Sequence, residues 1–230
     1  MNAKLLRLIA LMMFAGCLAS ASAASFVNLN FESATVVVND PTFGFLDWNL
    51  AVPGWSHSPG SDSGHVYYYS AHLGNSGYFL LVDANSPYYA PGTQLAGNYS
   101  LGLRAGHLLS YDQNSPWQDA YISQTGSISA SVHSLQMLAT GPFEVLINGT
   151  HINMQLQSGN LYAGDISAFA GTTSELRIVN STFTEARVDN IQFSITAVPE
   201  PGCVGLVSVG LIALANRRAP RPARRRRSQC

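Results

Sequence analysis

From Phe26 to Ile195 apolar residues return at every second position, in short runs divided by turn signals. That period lays one row of side chains into a core and the other into water, so it demands strands rather than helices. Ser100-Leu101-Gly102-Leu103-Arg104 alternates in this way, as does the run from His151 to Gln157. Phe143, Val145 and Ile147 share one face of another strand, and Val188 precedes the alternation of Ile191, Phe193 and Ile195. Turn residues divide the runs at Pro41, Pro53-Gly54, Pro91-Gly92, Asn148-Gly149, Ser158-Gly159-Asn160 and Gly171. Asn148-Gly149 sits between two alternating runs, and the pair tolerates the positive φ of a tight turn, so it predicts a two-residue hairpin. No segment has a convincing helical stripe, apart from a short turn over 165–170. The reading is an all-β chain with a single β-sandwich, a jelly roll, over 25–197.

Charge separates the middle of the chain from its ends. Of the 230 residues 11% are charged, well below the roughly one quarter of an ordinary soluble domain. Between Ser25 and Ala197 about 12 acids face three arginines (Arg104, Arg177 and Arg187), a net of roughly −9. Seven arginines and no acids follow Pro201. An acidic domain of this kind has no clustered cations for phosphate, so no nucleic-acid partner is expected. Cys17, Cys203 and Cys230 all lie outside 25–197. The domain therefore folds without a disulfide, and it offers no cysteine nucleophile or cysteine zinc site.

The two ends read as addresses. Over 1–24, Lys4 and Arg7 precede an apolar stretch from Leu5 to Phe14, and Ala21-Ser22-Ala23 supplies a small-residue cleavage pattern. This is a secretory signal peptide cut by signal peptidase. Phe14-Ala15-Gly16-Cys17 approaches a lipobox, with Phe14 where an aliphatic residue is usual, so a lipoprotein signal stays open as the alternative. Over 198–230, Val198-Pro199-Glu200-Pro201 precedes an apolar helix of about 203–216. Arg217, Arg218, Arg224, Arg225, Arg226 and Arg227 follow it. The prolines keep the start extended, the apolar run can enter a bilayer, and the arginines stop transfer on the cytoplasmic side.

This order of parts resembles the PEP-CTERM sorting signal of Gram-negative bacteria. The resemblance covers about the last thirty residues, from Val198 onward, and departs from the usual pattern in its basic extension from Arg221 to Cys230. It implies transient anchoring in the inner membrane and processing near Pro199-Glu200-Pro201 by an exosortase. It further implies delivery to the cell surface or the extracellular polysaccharide matrix. An ordinary C-terminal membrane anchor is the plainer alternative.

The domain carries weaker resemblances. Asn28-Leu29-Asn30-Phe31-Glu32-Ser33 with Val52-Pro53-Gly54-Trp55 is similar to the opening of carbohydrate-binding-module-like and galactose-binding-like jelly rolls. Val188-Asp189-Asn190-Ile191-Gln192-Phe193 is similar to their last strand. That resemblance implies a structural calcium held by Glu32 and Asp189, with backbone carbonyls completing the 6–8 oxygens the ion requires. The alternatives are hydrogen bonds from both carboxylates to loop backbone, or an Asp189–Arg187 pair.

Aromatic residues form the second candidate site. Tyr67, Tyr68, Tyr69, Tyr88, Tyr89, Trp55 and Trp117 are rings able to stack on a sugar, with core packing as the competing use. Three successive tyrosines cannot all face one side of a strand. No catalytic residue emerges. Gly60-Ser61-Asp62-Ser63-Gly64 has Asp62 where a nucleophile elbow needs serine, and the six histidines lack metal-site spacing. The function expected is an exported surface or matrix protein with a binding or structural domain. A carbohydrate-binding module proper is the first alternative and a glycan hydrolase the second.

Overall fold

The computed structural model describes residues 24–40, 44–58, 65–68, 74–84, 94–108 and 112–198. The first strands are β1 (Val38–Asp40), β2 (Phe45–Asp47), β3 (Ser56–His57), β4 (His65–Tyr67), β5 (Tyr78–Asp83), β6 (Tyr99–Arg104), β7 (Gly106–His107) and β8 (Trp117–Gln118). Then come β9 (Ala120–Ser127), β10 (Ser134–Thr140), β11 (Glu144–Ile147), β12 (Thr150–Ile152), β13 (Gln155–Ser158), β14 (Leu161–Asp165), β15 (Thr173–Asn180) and β16 (Ala186–Ser194). Among the described residues one sheet has nine strands in the order β1-β2-β4-β5-β6-β16-β10-β14-β13, and the second has five in the order β12-β11-β15-β9-β3. Strands β7 and β8 make a separate pair. The pairings between these strands are antiparallel except β4 with β5.

The core lies between the two sheets. Leu81, Leu101, Leu103, Leu135, Met137 and Val188 come from the first, and Ile122, Val145, Ile147, Leu176 and Ile178 from the second. The expected all-β, sandwich-like architecture is therefore present. The segment 26–58 packs against this core through Phe31, Trp48 and Trp55. Phe26 stacks on Phe193 at 4.7 Å, over the bare backbone of Gly126.

Local detail follows the sequence in some places and departs from it in others. Asn148 and Gly149 take φ of 49° and 77° and join Ile147 to its partner Thr150, which is the predicted hairpin. The run from His151 to Gln157 does not make one strand. It divides into β12 in the second sheet and β13 in the first, with Asn153 and Met154 crossing between. Strand β6 is buried on both faces rather than one, because Ser100 and Gly102 are covered as fully as Leu101 and Leu103. The short turn expected over 165–170 is a 3-10 helix, Ser167–Phe169, begun by Asp165 Oδ1 accepting from Ser167 N at 2.8 Å. A single helical turn that the pattern did not suggest, α1 (Trp48–Ala51), starts where Asp47 Oδ1 accepts from Asn49 N at 2.9 Å and Leu50 N at 3.3 Å.

Strand β16 carries a bulge. Leu138 and Gln136 on β10 face Asp189 and Gln192, so β16 spends one residue more than its partner, and Asn190 takes φ of 47°. The skip from Val188 to Ile191 in the apolar pattern is this extra residue. Its consequence is functional, since it leaves Asp189 buried, 1% exposed, inside the fold.

Candidate functional site

Asp189 and Glu32 grip the same loop. Asp189 Oδ2 accepts from Ala96 N and Ser100 Oγ, both at 2.9 Å, and Oδ1 accepts from Asn190 N at 2.6 Å. Glu32 Oε1 accepts from Asn98 N at 2.7 Å and Tyr99 N at 3.1 Å, while Oε2 accepts from Asn98 Nδ2 at 2.7 Å. Gly97 lies between with φ of 55°, and a Cβ there would collide with the Glu32 carboxylate. Burial pushes Asp189 up to about 6, against hydrogen bonds from Ser100, Asn190 and Ala96, and the neighbouring Glu32 charge adds to the rise. Partial burial also pushes Glu32 upward, but the donors from Tyr99 and Asn98 outweigh it and hold that carboxyl below its ordinary value.

Each of these four oxygens thus already faces a donor. Among the described residues no group of three or more His, Cys, Asp or Glu gathers to hold a metal. The hydrogen bonds of the pair are those of the loop-clamp alternative. Arg187 is paired with Glu185, its Nε donating to Glu185 Oε1 at 2.7 Å. Exchange of 5 mM EDTA for calcium chloride is therefore expected to move the melting temperature by less than about 2 °C. A tightly bound structural ion at saturation would add several kcal/mol and shift it further.

The aromatic candidates divide. Trp55 is a core residue, stacked on Phe31 at 5.9 Å, with Nε1 donating to Asn28 O at 3.1 Å. Tyr67 is buried on the opposite face of the first sheet with Tyr78, Leu80 and Val82. Neither ring can meet a ligand, which corrects the expectation for both. Tyr68 is half-buried and its hydroxyl donates to Asp83 Oδ2 at 2.6 Å. Tyr69, Tyr88 and Tyr89 lie outside the described residues, as do Pro199, Glu200, Pro201, Arg217, Arg218 and Arg224 to Arg227; Val198 is the last described residue. Trp117 alone among the candidate tryptophans stands out, 45% exposed, with Phe183 6.3 Å away and 44% exposed. The Arg104 guanidinium lies 4.3 Å over the Phe183 ring.

The second sheet carries a groove on its outer face that sequence reading missed. Registration across β9, β15, β11 and β12 sets two rows of outward side chains, Tyr121–Val179–Glu144 and Ser123–Arg177–Leu146–His151. The groove over these rows has a volume of about 520 Å³, with Ser58, Gln118, Asp119 and Ser181 completing its wall. A second hollow of about 380 Å³ adjoins it, sharing Glu144 and His151 and reaching Phe143, Met154 and Tyr162. His151 Nδ1 and Glu144 Oε2 are 3.2 Å apart, where the two hollows meet. Arg177 lies 4.5 Å over the Tyr121 ring and donates to Glu175 Oε1 at 2.9 Å. The members are scattered from Ser58 to Ser181, and only strand register brings them together.

The groove can present hydrogen-bonding groups and rings to a ligand. A general acid is made by apolar burial, whereas the Glu144 side chain is 52% exposed, and the deeply buried Asp189 belongs to the loop clamp.

No family model and no curated protein matches the chain. A solved structure of alpha-L-rhamnosidase from Dictyoglumus thermophilum resembles it over 54% of this chain and 16% of that one, at 13% identity and a TM-score of 0.26. The chain thus spans about a sixth of that enzyme's length, and a likeness so low bears on neither activity nor ligand.

Proposed function

We propose that this chain is an exported bacterial protein that an exosortase sorts to the cell surface or extracellular matrix, and that its jelly-roll domain serves in binding. The order of parts after the domain carries the sorting reading: Val198-Pro199-Glu200-Pro201, an apolar run, then Arg217 and the arginines beyond it. Strand β16 ends at Ser194, so the motif begins within a few residues of the folded core and has little chain in which to be hidden. Signal peptidase and an exosortase are the processing partners, and the inner membrane is a transient one. Among the described residues no helix is long and apolar enough to cross a membrane, and the apolar run of about 203–216 lies outside them. The jelly-roll assignment rests on successive strands changing sheets: β6 to β9, β9 to β10, β10 to β11 and β15 to β16. The binding reading rests on the groove across β9, β15, β11 and β12. In neither reading is calcium required.

Intact mass spectrometry of the protein from its host's envelope and medium tests the sorting. The expected mass lacks Met1 to about Ala24 and everything after about Pro201. A species that keeps Arg217 to Arg227 would be a plain membrane anchor and would sink the exosortase reading.

A further inference from the structure

We infer that the groove across β9, β15, β11 and β12 binds a linear, uncharged polysaccharide chain. This deepens the binding reading above and is independent of the sorting reading. Four observations select that ligand. The first is direction. The groove crosses its strands, and three strand spacings from Tyr121 on β9 to His151 on β12 make a run of roughly 14 Å. A site of that length suits several linked residues rather than one sugar ring.

The second observation is backbone availability. Strands β9, β15 and β11 each have partners on both sides, so their ladder groups are taken. A peptide laid across them could not add a strand, and recognition has to run through side chains. The third is side-chain chemistry. The groove offers carboxylates, an imidazole, a guanidinium and hydroxyls, the donors and acceptors that vicinal hydroxyls match. Gln118 Oε1 and Arg177 Nε are buried with no hydrogen-bond partner among the described residues, leaving one acceptor and one donor unmatched in the wall. A hydroxyl carries both complementary functions on one oxygen. Each hollow has a ring in its wall: Tyr121 beneath Arg177 in the groove, and Phe143 against Tyr162 at 4.9 Å in the adjoining one.

The fourth observation is charge. Among the groove's lining residues Arg177 is the one arginine and is already paired with Glu175, while Asp119 and Glu144 are carboxylates, so the site has no surplus of cations for a polyanion. The surrounding domain is acidic by roughly −9 and repels a polyanion. An uncharged chain meets neither penalty.

The test uses the full chain in mild detergent, run in native gels cast with soluble β-glucan, xylan, galactomannan or alginate. At least one of the three uncharged polymers is expected to retard the protein. His151→Ala and Glu144→Gln should each weaken that retardation about tenfold or more, at an unchanged melting temperature. Leu156→Ser, on β13 of the other sheet, should leave it intact. Lack of retardation by all three uncharged polymers overturns the inference, as does retardation by alginate alone. It is equally overturned if both groove variants bind like the parent, or if reducing ends are released. None of these results touches the mass-spectrometric test of sorting, so the two readings fail separately.

Discussion

Trp55→Ala is expected to destabilise the domain by about 3–5 kcal/mol, the usual cost of emptying a large aromatic site in a core. Trp117→Ala should cost less than about 1 kcal/mol, as an exposed substitution does. Chemical denaturation of the two variants measures both. The contrast follows from position alone. Trp55 is 4% exposed, and its ring meets Phe31, itself fully buried and held at φ of 56°. Its backbone oxygen accepts from Trp48 Nε1 at 2.6 Å, and its own Nε1 reaches Asn28 O. Removing it leaves a cavity and an unpaired carbonyl at Asn28, and it strips the packing that Phe31 and Trp48 share with this ring. If Trp55→Ala instead melted like the parent protein and lost only binding, the core assignment would be wrong.

The two tryptophans also show where sequence reading stops. Alternation identified the strands because one sheet face is buried and the other wet, and that signal survives wherever it holds. It found β11, the Asn148-Gly149 turn and the closing strand. It failed at β12 and β13, where a run of unbroken period two crosses from one sheet to the other, since the period does not record which sheet a strand joins. It failed at β6 for a different reason. Ser100 and Gly102 read as outward residues, yet both are covered, Ser100 because its hydroxyl is engaged by Asp189 and Leu95. Glu32 and Asp189 were legible as a pair, but their partners were not, because Ala96, Asn98 and Tyr99 offer backbone N–H groups that any sequence would carry. The groove was illegible. Tyr121, Glu144, His151 and Arg177 are unremarkable where they stand in the chain, and only antiparallel register aligns them.

Stability should rise by about 1.4 kcal/mol as pH falls from 7.5 to about 5, and Asp189→Asn should abolish most of that slope. The sign follows from the direction in which burial moves this carboxyl. Burial raises Asp189 from 3.8 to about 6, so the folded state holds this proton more tightly than the unfolded chain does. Its contribution is complete below 3.8 and is lost as pH climbs through about 6, at about 1.4 kcal/mol for each tenfold difference in proton affinity between the two states. The repulsion from Glu32 is part of that rise, and the lowered net negative charge of the domain acts in the same direction. Two groups work the other way. Asp165 is held below its ordinary value by Ser167 backbone and side-chain hydrogen bonds, and Glu32 by the donors at Tyr99 and Asn98. Their stabilisation exists above the unfolded values of 3.8 and 4.5 and fades as pH drops below them. A maximum near pH 5 results, between the loss of Asp189's proton on one side and the protonation of Glu32 and Asp165 on the other. In Asp189→Asn the amide oxygen can still accept from Ala96 and Ser100 while the amide nitrogen meets Asn190 N–H, so the variant starts lower but stays level from pH 5 to 7.5. Guanidinium unfolding at pH 5, 6 and 7.5 on both proteins decides it. A parent curve flat over that range would mean that Asp189 is ionised in the fold without penalty, with a counter-charge beside it, and it would reopen calcium as the ion that supplies it.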